Sequence, residues 1–256
     1  MRVIVNADDF SWDESTNEAI LELLRLKMIT STSVLANSIT PDLARELNKF
    51  KDISVGLHFN IIEGLPSSNP DDISSLVDRN GVFYPAHILL LKCFCALIKR
   101  EHVEVELKSQ IDALHSCGLE ISHLDGHQHT HIFPIISTVI AKNLKGYGIE
   151  RVRTVSLFGD RTFRLLVVRF LSYLSRHKYR SFSGPKALLS TRIFEQGVPY
   201  QVLNRFKGEV IEVMVHPRVK NTSLCHLDRE KEYNKLKSGY LQSEFSNCEF
   251  ISYKEV

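Results

Sequence analysis

Several features that mark other protein classes are scarce in this 256-residue sequence. Its five cysteines form no C-x-x-C pair, which argues against a disulfide framework or zinc knuckle and favours a reducing compartment. The 32 Lys and Arg nearly balance the 30 Asp and Glu, so no general charge draws the chain to nucleic acid or anionic membranes. The longest apolar run, residues 87–98, is too short to span a bilayer, and we interpret it as a packed helix. No transmembrane segment is expected.

The first residues run directly into an apolar strand pattern, which leaves no room for a secretory signal and predicts a cytoplasmic location. Short β-branched segments then alternate with helical patterns, as is typical of βα units and a mainly parallel sheet. The predicted strands are 3–6, 32–36, 53–59, 119–124, 151–155 and 209–215. The predicted helices are 13–28, 41–50, 86–99, 103–117, 134–144 and 160–176.

Two segments lack a regular pattern. Residues 60–85 are rich in Pro, Ser, Asp, Asn and Gly and are predicted to form a long functional loop. Residues 181–199 are predicted to be irregular. The basic segment 160–180 could contact a membrane or a partner, although an ordinary amphipathic helix that covers the sheet is the simpler interpretation.

Polar side chains follow four of the predicted strands. They are Asp8 and Asp9, His58, Asp125 with His127, and His216. Parallel strands of an α/β barrel direct their carboxyl ends to one mouth, whereas an open doubly wound sheet gathers ligands at a single switch point. The sequence therefore favours a (β/α) barrel-like fold of seven or eight mainly parallel strands.

The densest cluster of possible metal ligands is HLDGHQHTH, residues 123–131, with four histidines and one aspartate. Histidine is the commonest protein metal ligand, and a divalent cation needs such groups from several strands with one position left open. We predict Asp9, His58 and His127 as the ligands. By ligand softness this set suits zinc, manganese or iron at least as well as magnesium.

Other members of the cluster have different expected roles. Asp125 either binds the metal or, as we prefer, holds an imidazole in its working tautomer. His129 and His131 orient the ligands or contact substrate. His123 precedes the strand end and is expected to be a packed residue.

Three further residues are candidates for catalysis. Adjacent strand residues face opposite sides, so if Asp9 binds the ion, Asp8 can serve as a base; an acidic turn or helix cap is the alternative. His216 could protonate a departing amine. Arg153 could bind a carboxylate or a polarised oxygen, and a surface role is about equally expected.

Four motifs together resemble the YdjC-like carbohydrate deacetylases, which include the chito-oligosaccharide deacetylases. They are NADDF at 6–10, GLHFNI at 56–61, SHLDGHQHTH at 122–131 and VMVHP at 213–217. The resemblance implies a single domain over residues 1–256, a barrel of the glycoside hydrolase/deacetylase type, and Mg²⁺ or a similar divalent ion. It also implies removal of N-acetyl groups from acetylated amino sugars or oligosaccharides, and a homodimer.

Similarity to the more distant NodB-type deacetylases implies that Asp8 is the base that activates a metal-bound water and that His216 is the acid. Two positions depart from the family pattern. Ser11 stands where glycine is common, and RVRTVSL lacks the acidic residue that often follows the family's arginine, so the partners of Arg153 are not predicted.

Two other functions use the same residues. One is a different metal-dependent hydrolase, a phosphoesterase or amidohydrolase, although the chain lacks a Gly-rich phosphate loop. The other is a catalytically inactive relative that only binds carbohydrate. Binding alone needs neither a base nor an acid, so the presence of Asp8 and His216 argues for an enzyme.

Overall fold

The computed structural model describes residues 1–158, 163–221 and 228–256. Within them, eight strands form one sheet in which every pairing is parallel, in the order β4-β3-β2-β1-β7-β6-β5, with β8 also paired to β1. The strands are β1 Arg2–Phe10, β2 Ser31–Val34, β3 Ser54–Phe59, β4 His123–Gly126, β5 Leu157–Phe158, β6 Ala187–Leu189, β7 Val210–Val215 and β8 Glu249–Phe250.

Backbone hydrogen bonds link the two ends of this strand order. The Arg153 amide donates to the Leu124 carbonyl at 3.0 Å, and the Val152 amide donates to the Ser183 carbonyl at 2.9 Å. The segment before β5 therefore bridges β4 to the segment before β6. The sheet curls into a barrel-like form, and the predicted fold class is confirmed.

Helices cover the outside of the sheet. Those described are α1 Glu14–Arg25, α2 Pro41–Leu47, α3 Ala86–Phe94, α4 Arg100–Ser116, α5 Ile136–Asn143, α6 Phe163–Arg176, α7 Ile193–Gln196, α8 Tyr200–Arg205, α9 Arg229–Lys237 and α10 Tyr240–Glu244. The Asp13 carboxylate caps α1 by accepting from the Thr16 amide, and the Thr40 hydroxyl caps α2 by accepting from Leu43. These caps fix where the two helices begin after β1 and β2.

The five longest strands are almost wholly buried. Every residue of β1 from Val3 to Phe10 is buried, as is every residue of β2, β3, β4 and β7. Burial on both faces is typical of parallel strands that have helices on one side and a barrel interior on the other. Charged side chains inside such strands therefore need partners within the barrel.

Two parts of the sequence prediction need correction, and a third lies partly outside the described residues. The 181–199 segment is not wholly irregular, because it contains β6 and α7. The strand predicted at 151–155 is reduced to isolated bridges at Arg151 and Val152, and β5 follows at Leu157–Phe158. The helix predicted at 160–176 corresponds to α6, and residues 160–162 of it lie outside the described residues.

The apolar run at 87–98 is only partly packed. α3 buries Leu89 and Cys93, but Leu91 is 60% exposed and Phe94 is 55% exposed, and Leu97 just after the helix is 61% exposed. No helix in the described part of the chain has both the length and the apolar content that crossing a membrane would require.

Candidate active site

Three predicted ligand side chains meet at the carboxyl ends of the strands. Asp9 lies near the end of β1, His58 near the end of β3, and His127 directly after β4, and all three are buried. The Asp9 Oδ1 atom lies 3.3 Å from His58 Nε2 and 3.1 Å from His127 Nδ1. The two imidazole nitrogens are 3.3 Å apart. The three atoms thus converge on a single point.

The donor atoms suit a small divalent cation. Ligand atoms at about 2.0–2.1 Å from an ion stand about 2.9 Å apart at right angles and about 3.4 Å apart at tetrahedral angles. The observed separations, 3.1 to 3.3 Å, fall between these values. Two imidazoles and one carboxylate also match the donor chemistry of transition-metal sites. This is the set that the sequence predicts, and its metal binding stays a prediction.

The local backbone at Asp9 separates the two adjacent carboxylates. Asp9 has φ 69°, in the left-handed region that aspartate tolerates better than most residues. The Trp12 amide donates to the Asp9 carbonyl at 3.0 Å and closes the turn after the strand. Asp9 then faces the two histidines, whereas Asp8 pairs with Arg153 on the other side of the chain.

Asp125 supports His58 from behind. Its Oδ1 lies 2.7 Å from His58 Nδ1, and its Oδ2 accepts from the Ser33 hydroxyl at 2.8 Å. A proton on Nδ1 that is donated to this carboxylate leaves the Nε2 lone pair directed at the ligand cluster. Burial lowers the pKa of His58, but the charges of Asp125 and Asp8 outweigh it and raise that pKa to about 10. The same negative potential attracts a cation.

Arg153 is buried and joins three carboxylates. Its Nη1 and Nη2 atoms donate to Asp8 at 2.7 and 2.6 Å, which makes a bidentate pair. Nη2 also lies 2.7 Å from Asp125 Oδ2, and Nε donates to Glu212 Oε1 at 2.9 Å. Although burial raises the pKa of Asp125, the charge of Arg153 holds it well below its usual range. Arg153 is therefore an interior residue, and the surface role considered above is wrong.

The proposed base and acid lie on the same side of the cluster. The Asp8 carboxylate is held by Arg153 and by the Asn6 amide, which donates to Oδ1 at 2.8 Å. His216, at the end of β7, has Nε2 3.8 Å from Asp8 Oδ2. The His216 backbone amide donates to Glu232 of α9 at 2.5 Å. Burial lowers the pKa of the His216 imidazole, so the neutral form is favoured at pH 7.

The remaining histidines of the cluster differ in environment. His123 is fully buried and stacks on Tyr253 with ring centroids 3.7 Å apart, in agreement with the packed role expected for it. His131 Nε2 lies 3.3 Å from the Arg153 carbonyl. It therefore contacts the backbone of the charge cluster, which consists of Arg153, Asp8, Asp125 and Glu212. His129 has φ 63° and, like His131, a pKa lowered by burial. His123, His129 and His131 are not among the predicted ligands of the metal ion.

Sequence reasoning missed three charged residues at the site. Glu63, from the 60–85 loop, places Oε2 3.2 Å from His127 Nε2. Arg229, at the start of α9, places Nη1 3.3 Å from Asp9 Oδ2. Glu212 stands inside an otherwise apolar strand, and a lone charge in such a run was the one available signal. The other two are brought in by loop and helix placement that the sequence pattern does not encode.

Comparisons with known proteins identify the family of the chain and several relatives. A family model described as YdjC-like protein matches residues 2–246. Carbohydrate deacetylase 1 of Listeria innocua is 30% identical over 272 residues, covering 100% of both chains. A carbohydrate deacetylase of Danio rerio is 30% identical over 200 residues, which cover 77% of this chain and 61% of that protein.

The fold has a close counterpart among solved structures. A proposed cellobiose-phosphate cleavage protein from Enterococcus faecalis matches with a TM-score of 0.77 at 19% sequence identity, over 99% of this chain and 98% of that one. At this identity the match supports the barrel-like fold alone. Because the family model spans nearly the whole sequence, the chain belongs to the YdjC-like protein family.

Proposed function

We propose that this protein is a divalent-cation-dependent hydrolase that removes N-acetyl groups from acetylated amino sugars or oligosaccharides. The observation that carries the proposal is the position of Asp8 and His216 beside the buried cluster of Asp9, His58 and His127. The names of the Listeria and Danio relatives support the carbohydrate and the deacetylation. A cytoplasmic location and a homodimer stay predictions.

Asp9, His58 and His127 would hold the cation. A bound divalent ion lowers the pKa of water and polarises a carbonyl oxygen. Asp125 keeps the His58 Nε2 lone pair available for the ion. Glu63 can accept a hydrogen bond from His127 Nε2 and so keep the His127 Nδ1 lone pair available. The donor set favours zinc, manganese or iron at least as much as magnesium.

Asp8 would accept the proton of the attacking water. Its two oxygens are oriented by the Arg153 guanidinium and the Asn6 amide, so the carboxylate cannot rotate away from the cluster without breaking three hydrogen bonds. A fixed base near the reacting oxygen contributes on the order of 10²–10⁴ in rate. The carbon–oxygen bond forms as this proton leaves the water.

His216 would then donate a proton to the amide nitrogen. Its imidazole favours the neutral form, so it must first gain a proton, and Asp8, with Oδ2 3.8 Å from Nε2, would pass on the proton taken from the water. Breakage of the carbon–nitrogen bond releases acetate and a free amine. The Glu232 carboxylate fixes the His216 backbone and so keeps the imidazole facing Asp8.

Residues that line the site suggest where the sugar ring is bound. Trp12 lies with its ring 5.1 Å from the His127 ring, and the 60–85 loop enters the site through Glu63. An aromatic face beside a polar mouth suits the apolar face of a pyranose ring. We therefore propose that Trp12 and this loop select the substrate.

Acetate release from N-acetylated mono- and oligosaccharides tests the proposal. Asp8→Asn should lower kcat about 10²–10⁴-fold and leave the metal content unchanged, because Asp9, His58 and His127 remain. His58→Gln should lower both metal content and acetate release. Asp52→Asn, at an exposed position before β3, is the matched control and should keep full activity.

Two results would contradict this assignment. Unchanged acetate release by a folded Asp8→Asn protein would exclude Asp8 as the base. Phosphate release from generic esters without acetate release would point to the phosphoesterase alternative. Metal analysis by mass spectrometry identifies the bound ion in the same samples.

A further inference from the structure

One part of the chain has a charge balance unlike the rest. Between residues 161 and 194 there are eight Lys and Arg and no Asp or Glu, although the whole chain has a formal charge of only +2. The described part of this segment contains α6, the turn after it and β6. This segment therefore has a local excess of positive charge that the near-neutral charge of the whole chain does not reveal.

The same segment exposes apolar side chains along one face of α6. Leu166 is 52% exposed, Phe170 55%, Tyr173 76% and Leu174 37%. Their spacing of four, three and one residues places them on one side of the helix. Leu171 and Ser175, on the opposite side, are buried against the barrel. α6 therefore covers the barrel with one face and presents an apolar face outward.

A cationic cavity adjoins this apolar face. It has a volume of about 1110 Å³, and Tyr173 contributes to both surfaces. Its lining includes one glutamate, Glu209, and seven cationic residues: Arg2, Arg153, Arg169, Arg176, Arg180, Lys186 and Arg205. Ser172 and Ser175 add hydroxyl groups. The lining suits the phosphate of an anionic headgroup.

We propose that the exposed face of α6, with its adjoining cavity, docks this protein on the surface of an anionic lipid bilayer. An interfacial helix has an apolar face that enters the headgroup region and basic residues that meet anionic lipids. Leu166, Phe170 and Leu174 supply the first, and Arg176 and Arg180 supply the second. The aromatic and polar ends of Tyr173 suit the boundary between them.

A second copy of this chain fits the face less well. In a two-fold contact the same patch meets itself, so Arg176 and Arg180 of one copy would approach those of the other. The 161–194 segment offers no carboxylate to offset this repulsion. An anionic bilayer provides both the missing negative charge and the apolar environment, and the docking does not depend on the proposed catalytic activity.

Co-sedimentation of the full chain with vesicles tests the docking. We expect binding to vesicles of phosphatidylcholine mixed with phosphatidylglycerol, weak binding to phosphatidylcholine alone, and release as salt is raised. Arg176→Gln with Arg180→Gln should weaken partitioning roughly 25-fold, at about fivefold for each charge. Phe170→Ser with Tyr173→Ser should weaken it roughly tenfold or more.

The matched control is Arg25→Gln with Lys51→Gln, which removes two exposed cations elsewhere and should change binding little. All four changed residues of α6 and its following turn are exposed, so the variants should keep the wild-type Tm. Equal binding to both vesicle types, or no binding, would overturn the proposal. So would a change of oligomeric state, by light scattering, in Phe170→Ser with Tyr173→Ser without loss of vesicle binding, because a second copy would then be the occupant.

Discussion

A buried glutamate inside β7 allows a quantitative test of the charge cluster. Glu212 is fully buried; its Oε1 accepts from Arg153 Nε at 2.9 Å, and its Oε2 accepts from the Tyr253 hydroxyl at 2.6 Å. Burial raises the pKa of Glu212 to about 7, even though Arg153 and the Tyr253 hydrogen bond act to lower it. Glu212→Gln keeps the size and shape of the side chain and removes its titration.

The sign and size of the effect follow from proton linkage. Unfolded, Glu212 ionises near its ordinary value of 4.5, whereas in the folded protein it keeps its proton to about pH 7. Between these values the folded state binds more protons, so stability falls as pH rises. At about 1.4 kcal/mol for each pH unit, this glutamate removes roughly 3 kcal/mol of stability between pH 4.5 and 7.

Urea unfolding followed by circular dichroism measures this contribution. The free energy of unfolding of the wild type minus that of Glu212→Gln should fall by roughly 3 kcal/mol from pH 4.5 to 7 and then level off. Glu209→Gln changes an exposed glutamate just before β7 and should give a flat difference. A flat difference for Glu212→Gln as well would mean that Glu212 is ionised throughout, and the reasoning about its burial would be refuted.

Two further predictions concern the metal cluster and the packing beneath it. Removal of the cation by a chelator should lower Tm by roughly 5–10 °C if the ion was present at a hundredfold excess over its Kd, because the ion binds only the folded state. Scanning fluorimetry before and after adding the ion back measures this shift. An unchanged Tm would contradict the metal site. Gly56→Ala would place a Cβ 2.3 Å from His123 Nε2, so it should lower the free energy of unfolding in urea by about 1–3 kcal/mol. The control is Gly146→Ala, whose Cβ would meet open space. Equal effects of the two changes would argue against close packing at His123.

Much of the fold can be predicted from local sequence. Strands such as Ser54–Phe59 and Val210–Val215 are largely apolar runs with a histidine, His58 or His216, at or just after the end, and each is observed within one residue of its predicted bounds. Parallel strands must send their ends to one side, so the meeting of Asp9, His58 and His127 follows from order alone. The short β6 was missed because three residues carry too little periodicity to separate a strand from a loop.

The contacts of the site depend on distant parts of the chain, and these were less predictable. Arg153 meets Asp8, which is 145 residues away, and Glu212, which is 59 residues away. Nothing near Arg153 in the sequence distinguishes an interior arginine from a surface one. Arg229 reaches Asp9 across 220 residues because α9 packs against α1, the helix that follows β1. Contacts between residues so far apart in the sequence can be identified only from the folded barrel-like sheet.

The division of the Asp125 carboxylate has a consequence for how the site can change. One oxygen holds a predicted metal ligand, His58, and the other holds Arg153, which in turn holds the predicted base, Asp8. The ion-binding half and the proton-transfer half are thus mechanically linked through one side chain. Any substitution that shifts Asp125 should therefore alter ion binding and the base position together.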